Sequence, residues 1–521
     1  MNMSKDIRVA KTGLALLIIT VISKAAAFLV TIVFSHFFGT DAITDAYYAA
    51  GAIPNLVNNS LSVCVLTLFI PVYTKCLSEK GKMVANTFFS NILNSFVLLN
   101  LVLFGLICFT SPILARLVAP GFDEKGLYHT QWMICLMSMS FPITIAANAF
   151  CNLHNANQKF ILPSTLTLIN HLIIIVATII VAPRLGIYSY PFICTVAWGI
   201  QLVVLILNAN GNLYKYKLYI NPKDEYFRYM IVQSIPVMIA TAADQINLTA
   251  DNIISSDLQS GSLSCIGYAH KLFNSINGLI TATLLTLYYP IISKQYAEGE
   301  YDKVSSSIRR YFDMMLFLSL PLIGVLIICS EEIIDLLLNH GVMDENSIGT
   351  ITLLFIVYVS GLLFIAMKEF ATRLYYVIGN TRKPTVINAI CVCINIVLSL
   401  VLKRYIGIIG IALATTIATG LCALIECVDL TLRVKKNSAF SKYSYIDWRH
   451  VIEIAVACMV SSVLSVMVKI VMFQCNSILV IIICGCVYLL SLSTILLIIK
   501  NDYAMSVITH LYKQINAKTR R

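Results

Sequence analysis

The strongest constraint on this chain is a succession of apolar stretches, each about as long as a bilayer is thick. A helix needs about 20 mainly apolar residues to cross the hydrocarbon core, and such stretches recur along almost all of the 521 residues. Only 12% of the residues are charged, whereas soluble proteins contain about a quarter. We therefore predict an all-α polytopic membrane protein with fourteen transmembrane helices, at residues 12–38, 46–72, 86–113, 127–152, 160–183, 187–208, 229–254, 262–289, 312–338, 347–378, 384–402, 405–430, 450–473 and 477–499.

The basic residues alternate with these spans. If the N-terminus is cytoplasmic, the predicted inner segments hold 27 of the 37 Lys and Arg and the outer loops hold five. Membrane proteins carry excess Lys and Arg on the cytoplasmic side, so we expect both termini inside. The net charge of +11 then reflects topology, and we expect no nucleic-acid partner. We also expect no cleavable signal, because the first apolar stretch is too long for a signal-peptide core.

The sequence contains an internal repeat. The segment LTLFIPVYTK at Leu66–Lys75 recurs as LTLYYPIISK at Leu285–Lys294, an offset of 219, and Pro163 matches Pro384 at an offset of 221. Spans 1–6 therefore correspond to spans 7–12. Because six is an even number, both copies have the same orientation, which predicts a parallel repeat about an axis along the membrane normal, as in some transporters.

This repeat predicts the domain organisation. We expect an N-terminal lobe at 1–208, a cytoplasmic linker at 209–228, a C-terminal lobe at 229–433, and a last part at 434–521 with spans 13–14 and a basic cytoplasmic tail. Transporters of this kind place the substrate between the two lobes and alternate its access by rocking one lobe against the other.

Two lysines lie about halfway along predicted spans, Lys24 in the first and Lys271 in the eighth. Inserting a lysine at the centre of a spanning helix costs about 2.5 to 3.5 kcal/mol, and such residues usually face a wet cavity, a partner charge or an anionic substrate. The two lysines therefore predict a polar, cationic chamber inside the protein.

Several motifs resemble the MurJ (MviN) family, which belongs to the multidrug, oligosaccharidyl-lipid and polysaccharide exporter superfamily. They occur in the family's order and spacing, namely FGTDAITDAYYAAGAIPNL (Phe38–Leu56), APGF (Ala119–Phe122), GSLSCIGYAHKL (Gly261–Leu272), the PIISK turn at Pro290, and GNTRKPT (Gly379–Thr385). The resemblance implies fourteen helices and a flippase that moves lipid II, the undecaprenyl-pyrophosphate-linked peptidoglycan precursor, to the outer leaflet. In that family the last two helices form a groove for the lipid tail.

The resemblance also implies partners and a location. The substrate would be an undecaprenyl-pyrophosphate-linked saccharide, the surroundings would be membrane lipids of a bacterial plasma membrane, and cell-wall synthesis proteins are further possible partners. No resident cofactor is implied, and a sodium ion gradient, a proton gradient or the membrane potential could supply the energy.

The candidate substrate-binding residues are only partly those of the family. Lys24 and Lys271 match two cavity arginines of the family, but lysine is a point charge without the planar fork that grips phosphate. Val30 and Asn58 stand where the family has two more arginines. Asn55, Asn58 and Lys368 complete the candidate binding set.

These departures leave two alternative functions open. The chain could flip another undecaprenyl-linked glycan, as in capsule, teichoic acid or exopolysaccharide export. It could also be a cation-coupled multidrug exporter of the same superfamily, although central lysines argue against a cavity that accepts cations. An enzyme is not expected, since no His, Asp and Ser cluster with catalytic spacing lies in the short loops.

Three aspartates are candidates for gating or coupling. Asp45 matches a family aspartate, and either a helix-terminal role or a gating contact would explain it. Asp244 and Asp251 lie two turns apart on one helical face. These two aspartates could bind a cation. Alternatively, Asp244 could pair with Lys24, because the repeat offset of 219 relates Lys24 to Ala243, the residue next to Asp244.

The cation alternative predicts a sodium site. Some members of the family are thought to couple a cation through helices 7, 11 and 12, where this chain offers Asp244, Asn388, Asn395 and Thr415 as oxygen ligands.

The remaining charges in the spans receive simpler interpretations. We expect Glu369 and Arg373 to neutralise each other as an i, i+4 pair. Two further acidic groups are expected to be solvated faces rather than metal sites, namely Glu331, Glu332 and Asp335, and Glu426 with Asp429.

Overall fold

A computed structural model describes residues 2–211, 213–380, 382–436, 448–472, 475–499 and 501. These residues form sixteen helices, namely α1 (Asn2–Phe38), α2 (Ala42–Ala50), α3 (Ala52–Val118), α4 (Glu124–Ser138), α5 (Phe141–Ala156), α6 (Ile161–Leu185), α7 (Ser189–Ala209), α8 (Glu225–Ser255), α9 (Ser262–Ala297), α10 (Tyr301–Ile328), α11 (Ser330–Leu338), α12 (Glu345–Ser360), α13 (Leu362–Val377), α14 (Arg382–Lys436), α15 (Trp448–Val471) and α16 (Ser477–Ile498).

The predicted all-α membrane class is confirmed. Within the described residues, ten helical segments are long and apolar enough to cross a membrane, and α12 with α13, bent by 42°, adds an eleventh. Two of the ten contain a break inside them, in α3 and in α14. The exact count of fourteen spans stays a prediction.

Glycines make these two breaks possible. Gly81 has φ 78° in α3, and Gly407 has φ 58° in α14. Glycine adopts this left-handed region at little cost because it has no Cβ. Gly81 lies between the spans predicted at 46–72 and 86–113, whereas Gly407 lies near the start of the span predicted at 405–430. Helix α3 therefore contains most of two consecutive predicted spans, and α14 contains two.

The chain divides into two compact units, and each is described by itself. The first extends to Tyr268 and also includes His340–Ser347, while the second takes the rest from Ala269 onward. In the first unit α3 packs against α5 and α8, and α1 packs against α6. Its core is rich in buried aromatic rings, with Phe69 and Phe150 among them. The lobe boundaries predicted at 208, 228 and 433 stay predictions.

In the second unit the last two helices pack on α10 and α11. Ile454, Tyr488 and Leu492 are buried in a shared core with Leu316 of α10. Helices in a membrane associate through close van der Waals packing of this kind rather than by removing apolar surface from water. The α15–α16 pair is therefore fixed to the second unit by a real apolar interface.

Polar contacts also hold one end of α15 and α16 against α10 and α11. The Lys469 ammonium donates to Glu332 Oε2 at 2.8 Å and to the Ile328 carbonyl at 2.9 Å, and Ser477 Oγ donates to Asp335 Oδ2 at 3.1 Å. The expectation of a solvated acidic face is therefore wrong for Glu332 and Asp335. Their carboxylates face basic and hydroxyl groups of α15 and α16, which the sequence alone does not bring near.

Glu426 also differs from its expected place on a solvated face, because it is fully buried. Its carboxylate accepts a hydrogen bond from Thr372 Oγ1 at 3.0 Å. One turn on, Asp429 accepts from the Tyr375 hydroxyl at 2.5 Å and forms an ion pair with Lys383. The interpretation fails because α13 covers this face of α14, which an isolated helical pattern does not reveal.

Candidate functional site

A buried polar junction joins α2 to the beginning of α9. The side chain of Asp45 is 3% exposed. Its Oδ2 accepts from the backbone N–H of Gly261 at 2.6 Å, and its Oδ1 accepts from both the N–H and the hydroxyl of Ser264 at 2.7 Å. The N–H groups at a helix start lack partners within the helix and attract negative charge. Asp45 therefore caps α9, whereas its own helix is capped by Asp41, which accepts from the N–H of Thr44 at 2.7 Å.

Helices α2 and α9 pack closely here because α9 has a glycine, Gly267, against the aromatic ring of Tyr48 in α2. A Cβ at Gly267 would lie 2.2 Å from Cε1 of Tyr48. The hydroxyl of Tyr268 donates to the Gly39 carbonyl at 2.8 Å, and the rings of Tyr48 and Tyr268 meet edge to face at 5.6 Å. We call Asp45, Tyr48, Ser264, Gly267 and Tyr268 the α2–α9 junction.

The segment His340–Ser347 lies against the α1–α2 corner beside this junction. Thr40 Oγ1 donates to Asp344 Oδ1 at 3.1 Å and lies 2.6 Å from the Ser347 hydroxyl. The N–H of Val342 donates to the His36 carbonyl at 3.3 Å. Hydrogen bonds from Ser347 and Thr40 lower the pKa of Asp344. The Asp344 carboxylate is therefore held ionised at neutral pH.

Lys24 lies exposed on α1. Its neighbour Ser23 is buried, with its hydroxyl 3.4 Å from Nδ1 of His171 in α6. The predicted pair between Lys24 and Asp244 stays a prediction. An exposed ammonium at this depth of a spanning helix is suited to an anionic ligand.

Asn58 belongs to a small polar cluster between α3 and α5. Its Oδ1 accepts from the hydroxyls of Thr144 at 3.1 Å and Ser62 at 3.4 Å, and Asn148 donates to Ser62 at 3.3 Å. Asn55, one turn earlier, is exposed. The cluster is uncharged, so the position where the family has an arginine contributes neutral hydrogen-bonding groups here.

The candidate coupling residues differ in exposure. In α8, Asp244 is exposed and Asp251 is 5% exposed. Lys271 is half-buried in α9. The sequence-based hypotheses about cation binding and ion pairing at these residues stay predictions.

The other candidates lie in the second unit. Lys368 and Asn388 are half-buried, Asn395 is buried, and Thr415 Oγ1 donates to the Ile411 carbonyl at 3.2 Å. Among the described residues, no three His, Cys, Asp or Glu side chains group closely enough to hold a metal. The predicted sodium site has one aspartate and otherwise amide and hydroxyl oxygens, so it is not a cluster of this kind. It stays a prediction.

The second unit also contains a cavity of about 360 Å³ between α9 and α13, lined by both apolar and polar side chains. Its polar lining residues are Asn277, Thr281, Thr286, Tyr289, Glu369 and Arg373. The guanidinium of Arg373 lies 5.8 Å from the centre of the Tyr289 ring and makes no ion pair within the described residues.

Two of these features are not foreseen from the sequence, namely the role of Ser264 and the α9–α13 cavity. A signal for Ser264 exists, because it lies 219 residues after Asp45, which is the offset of the repeat. The cavity has no comparable signal, since its polar residues are spread over two helices that are far apart in the chain.

Comparison with known proteins decides the family. A family model described as "Lipid II flippase MurJ" matches residues 34–494. This chain belongs to the MurJ family. Among its relatives are two proteins named "Probable lipid II flippase MurJ". The one from Buchnera aphidicola subsp. Schizaphis graminum is 24% identical over 428 residues, covering 79% of this chain and 81% of the relative. The one from Thermotoga maritima is 24% identical over 432 residues, covering 82% and 86%.

Solved structures agree on the fold. A structure titled "Lipid II flippase MurJ, inward closed conformation" aligns with a TM-score of 0.79 at 21% identity, covering 93% of this chain and 99% of that one. An inward-facing multidrug resistance MATE family transporter of the MOP superfamily aligns with a TM-score of 0.67 at 11% identity, covering 83% and 99%. Membership of the MurJ family makes the chain a multi-pass protein of the bacterial plasma membrane.

Proposed function

We propose that this protein is a lipid II flippase, which moves the lipid-linked peptidoglycan precursor from the inner to the outer leaflet by alternating access. The observation that carries the proposal is the match of the MurJ model to residues 34–494. The chemistry of the helices supports it, because a pyrophosphate must cross hydrocarbon while its polyprenyl tail stays in lipid. That task requires cationic groups at membrane depth, and Lys24 and Lys271 supply them.

In this proposal the α2–α9 junction is a gate. Asp45 uses one carboxylate to bind two backbone N–H groups and one hydroxyl of α9. These contacts are polar and lie in one small patch. They can therefore be exchanged for water when α9 moves away, whereas an extensive apolar interface would have to be dismantled. We infer that both termini are cytoplasmic, which puts the junction near the outer surface.

The head group could also belong to a different undecaprenyl-linked glycan. The observation that favours this second candidate is the neutral cluster around Asn58, which replaces a positive charge expected of the family. With two lysines instead of four arginines, the chain would bind a pyrophosphate less strongly. A saccharide with more hydrogen-bonding groups could compensate for that loss.

Complementation tests the proposal. The chain is expressed in a bacterium depleted of its own lipid II flippase, and growth is scored together with the amount of the protein in the membrane. We expect the wild-type chain to rescue growth. The control variant Lys159→Ala removes an exposed loop charge and should rescue growth as well. Lack of rescue at normal membrane levels would contradict lipid II as the substrate and favour another lipid-linked glycan.

A further inference from the structure

The lining of the α9–α13 cavity includes charged and polar side chains beside apolar ones, although both of its helices run through predicted membrane spans. Of its lining residues, Glu369 and Arg373 are ionisable, and four more carry hydroxyl or amide groups. Ionisable residues inside a membrane are costly and usually mark a substrate pathway or a wet cavity. The volume of about 360 Å³ falls within the range of small-molecule sites, about 300 to 1,000 Å³.

The geometry prepares the side chains for a ligand. The hydroxyl of Thr281 donates to Asn277 Oδ1 at 2.8 Å, which fixes the Asn277 amide with its nitrogen as the remaining donor. The Tyr289 ring supports the Arg373 guanidinium at 5.8 Å, and a cation held over an aromatic face is stabilised by about 0.5 to 1 kcal/mol at exposed sites. Arg373 is thereby held in place at the cavity wall.

The charges of the cavity indicate which part of a lipid-linked precursor fits. The charges of Arg373 and Glu369 cancel, so the cavity has no net charge. A pyrophosphate in it would be attracted by the guanidinium but repelled by the nearby carboxylate. A group with hydroxyls, amides and an isolated carboxylate suits the same wall better. Arginine binds a carboxylate through two parallel N–H bonds, while Glu369 accepts from hydroxyl or amide N–H groups.

We propose that the α9–α13 cavity binds one portion of the saccharide-peptide head group of the lipid-linked precursor, with a peptide carboxylate on Arg373 and hydroxyl or amide groups on Glu369 and Asn277. This proposal rests on the proposed lipid II function. It makes the cavity a specificity-determining site, distinct from the central lysines that would hold the pyrophosphate.

Binding to the purified full-length chain in lipid nanodiscs tests the cavity. Two probes are compared, lipid II and undecaprenyl pyrophosphate, which lacks both saccharide and peptide. Arg373→Gln is expected to weaken lipid II binding about tenfold or more, the equivalent of one bidentate contact, while undecaprenyl pyrophosphate binding changes less than about twofold. Glu369→Gln should weaken only lipid II as well. Arg449→Gln is the matched control, since Arg449 is exposed and paired with Glu453 on α15.

The outcomes separate the cavity from the function. If the wild-type chain binds lipid II and Arg373→Gln binds it equally well, or if both probes weaken alike, the cavity proposal is overturned and the proposed function is not. If the wild-type chain binds undecaprenyl pyrophosphate but not lipid II, the proposed function is contradicted. Should Arg373→Gln fail to accumulate, Arg373→Lys carries the test, because it keeps the charge but loses the fork. That variant should show the same selective loss to a smaller degree.

Discussion

Asp45 Oδ1 accepts hydrogen bonds from the backbone N–H and the hydroxyl of Ser264, both at 2.7 Å, although the two residues are 219 positions apart. The same offset relates the two copies of the repeated LTL segment. Tyr48 and Gly267, which lie in van der Waals contact, share it too. Positions that the repeat makes equivalent therefore touch each other in the α2–α9 junction. The repeat predicted from the sequence is therefore visible in the contacts of this junction.

Removing the charge of Asp45 should weaken the junction. Asp45→Asn replaces an acceptor of three hydrogen bonds by an amide that presents a donor on one side. We expect the free energy of unfolding to fall by about 1.5 to 3 kcal/mol, the worth of a hydrogen bond to a charged group, and transport to fall with it. Thermal unfolding in detergent and the complementation assay measure the two effects.

The matched control is Asp41→Asn. Asp41 caps α2 from an exposed position, and asparagine is about as good an N-cap as aspartate. Equal losses in both variants would contradict a special role of Asp45.

A methyl group at Gly267 should force the junction apart. In Gly267→Ala the new Cβ would overlap the Tyr48 ring at 2.2 Å, and overpacking of this kind costs about 1 to 3 kcal/mol. We expect lower thermal stability and reduced transport. The double variant Tyr48→Ala with Gly267→Ala removes the obstructing ring and should recover much of the lost activity. Failure of the double variant to exceed Gly267→Ala would show that the contact does not limit transport.

The contact of Lys469 with Glu332 should anchor α15 and α16. Lys469→Ala leaves a carboxylate that is 14% exposed without its cation, and we expect a loss of about 2 kcal/mol in the free energy of unfolding. Glu332→Gln in the same chain should recover part of it, because the uncompensated charge is gone. A double-mutant cycle on thermal unfolding measures the coupling, and strictly additive effects would contradict the pairing.

Asp244 distinguishes ion coupling from structure. If it binds sodium, Asp244→Asn should abolish the stimulation of transport by sodium over potassium while the amount of folded protein stays unchanged. If it forms an internal ion pair, the same variant should lower the melting temperature and leave the sodium response intact. Unchanged transport together with unchanged stability would contradict both hypotheses.

The fold class could be predicted from the sequence because apolar length is a local property. The loop at Gly81 is also local, since this glycine lies between the predicted spans 46–72 and 86–113, whereas the break at Gly407 falls inside the predicted span 405–430. The failures concern pairs of helices. Glu426 is buried under α13, and Glu332 meets Lys469 from 137 residues away; neither follows from the pattern of a single helix. For Asp45 the family resemblance identified the residue, whereas its partners on α9 required the structure.

The most direct test of the central claim is the translocation of fluorescent lipid II in proteoliposomes that contain the wild-type chain, Lys24→Ala, Lys271→Ala or the two Lys→Arg variants. The account predicts translocation by the wild type, retention by the arginine variants, and loss in both alanine variants at equal amounts of folded protein. Translocation that survives in both alanine variants, or a wild-type chain that moves no lipid II while it moves another undecaprenyl-linked glycan, would contradict it.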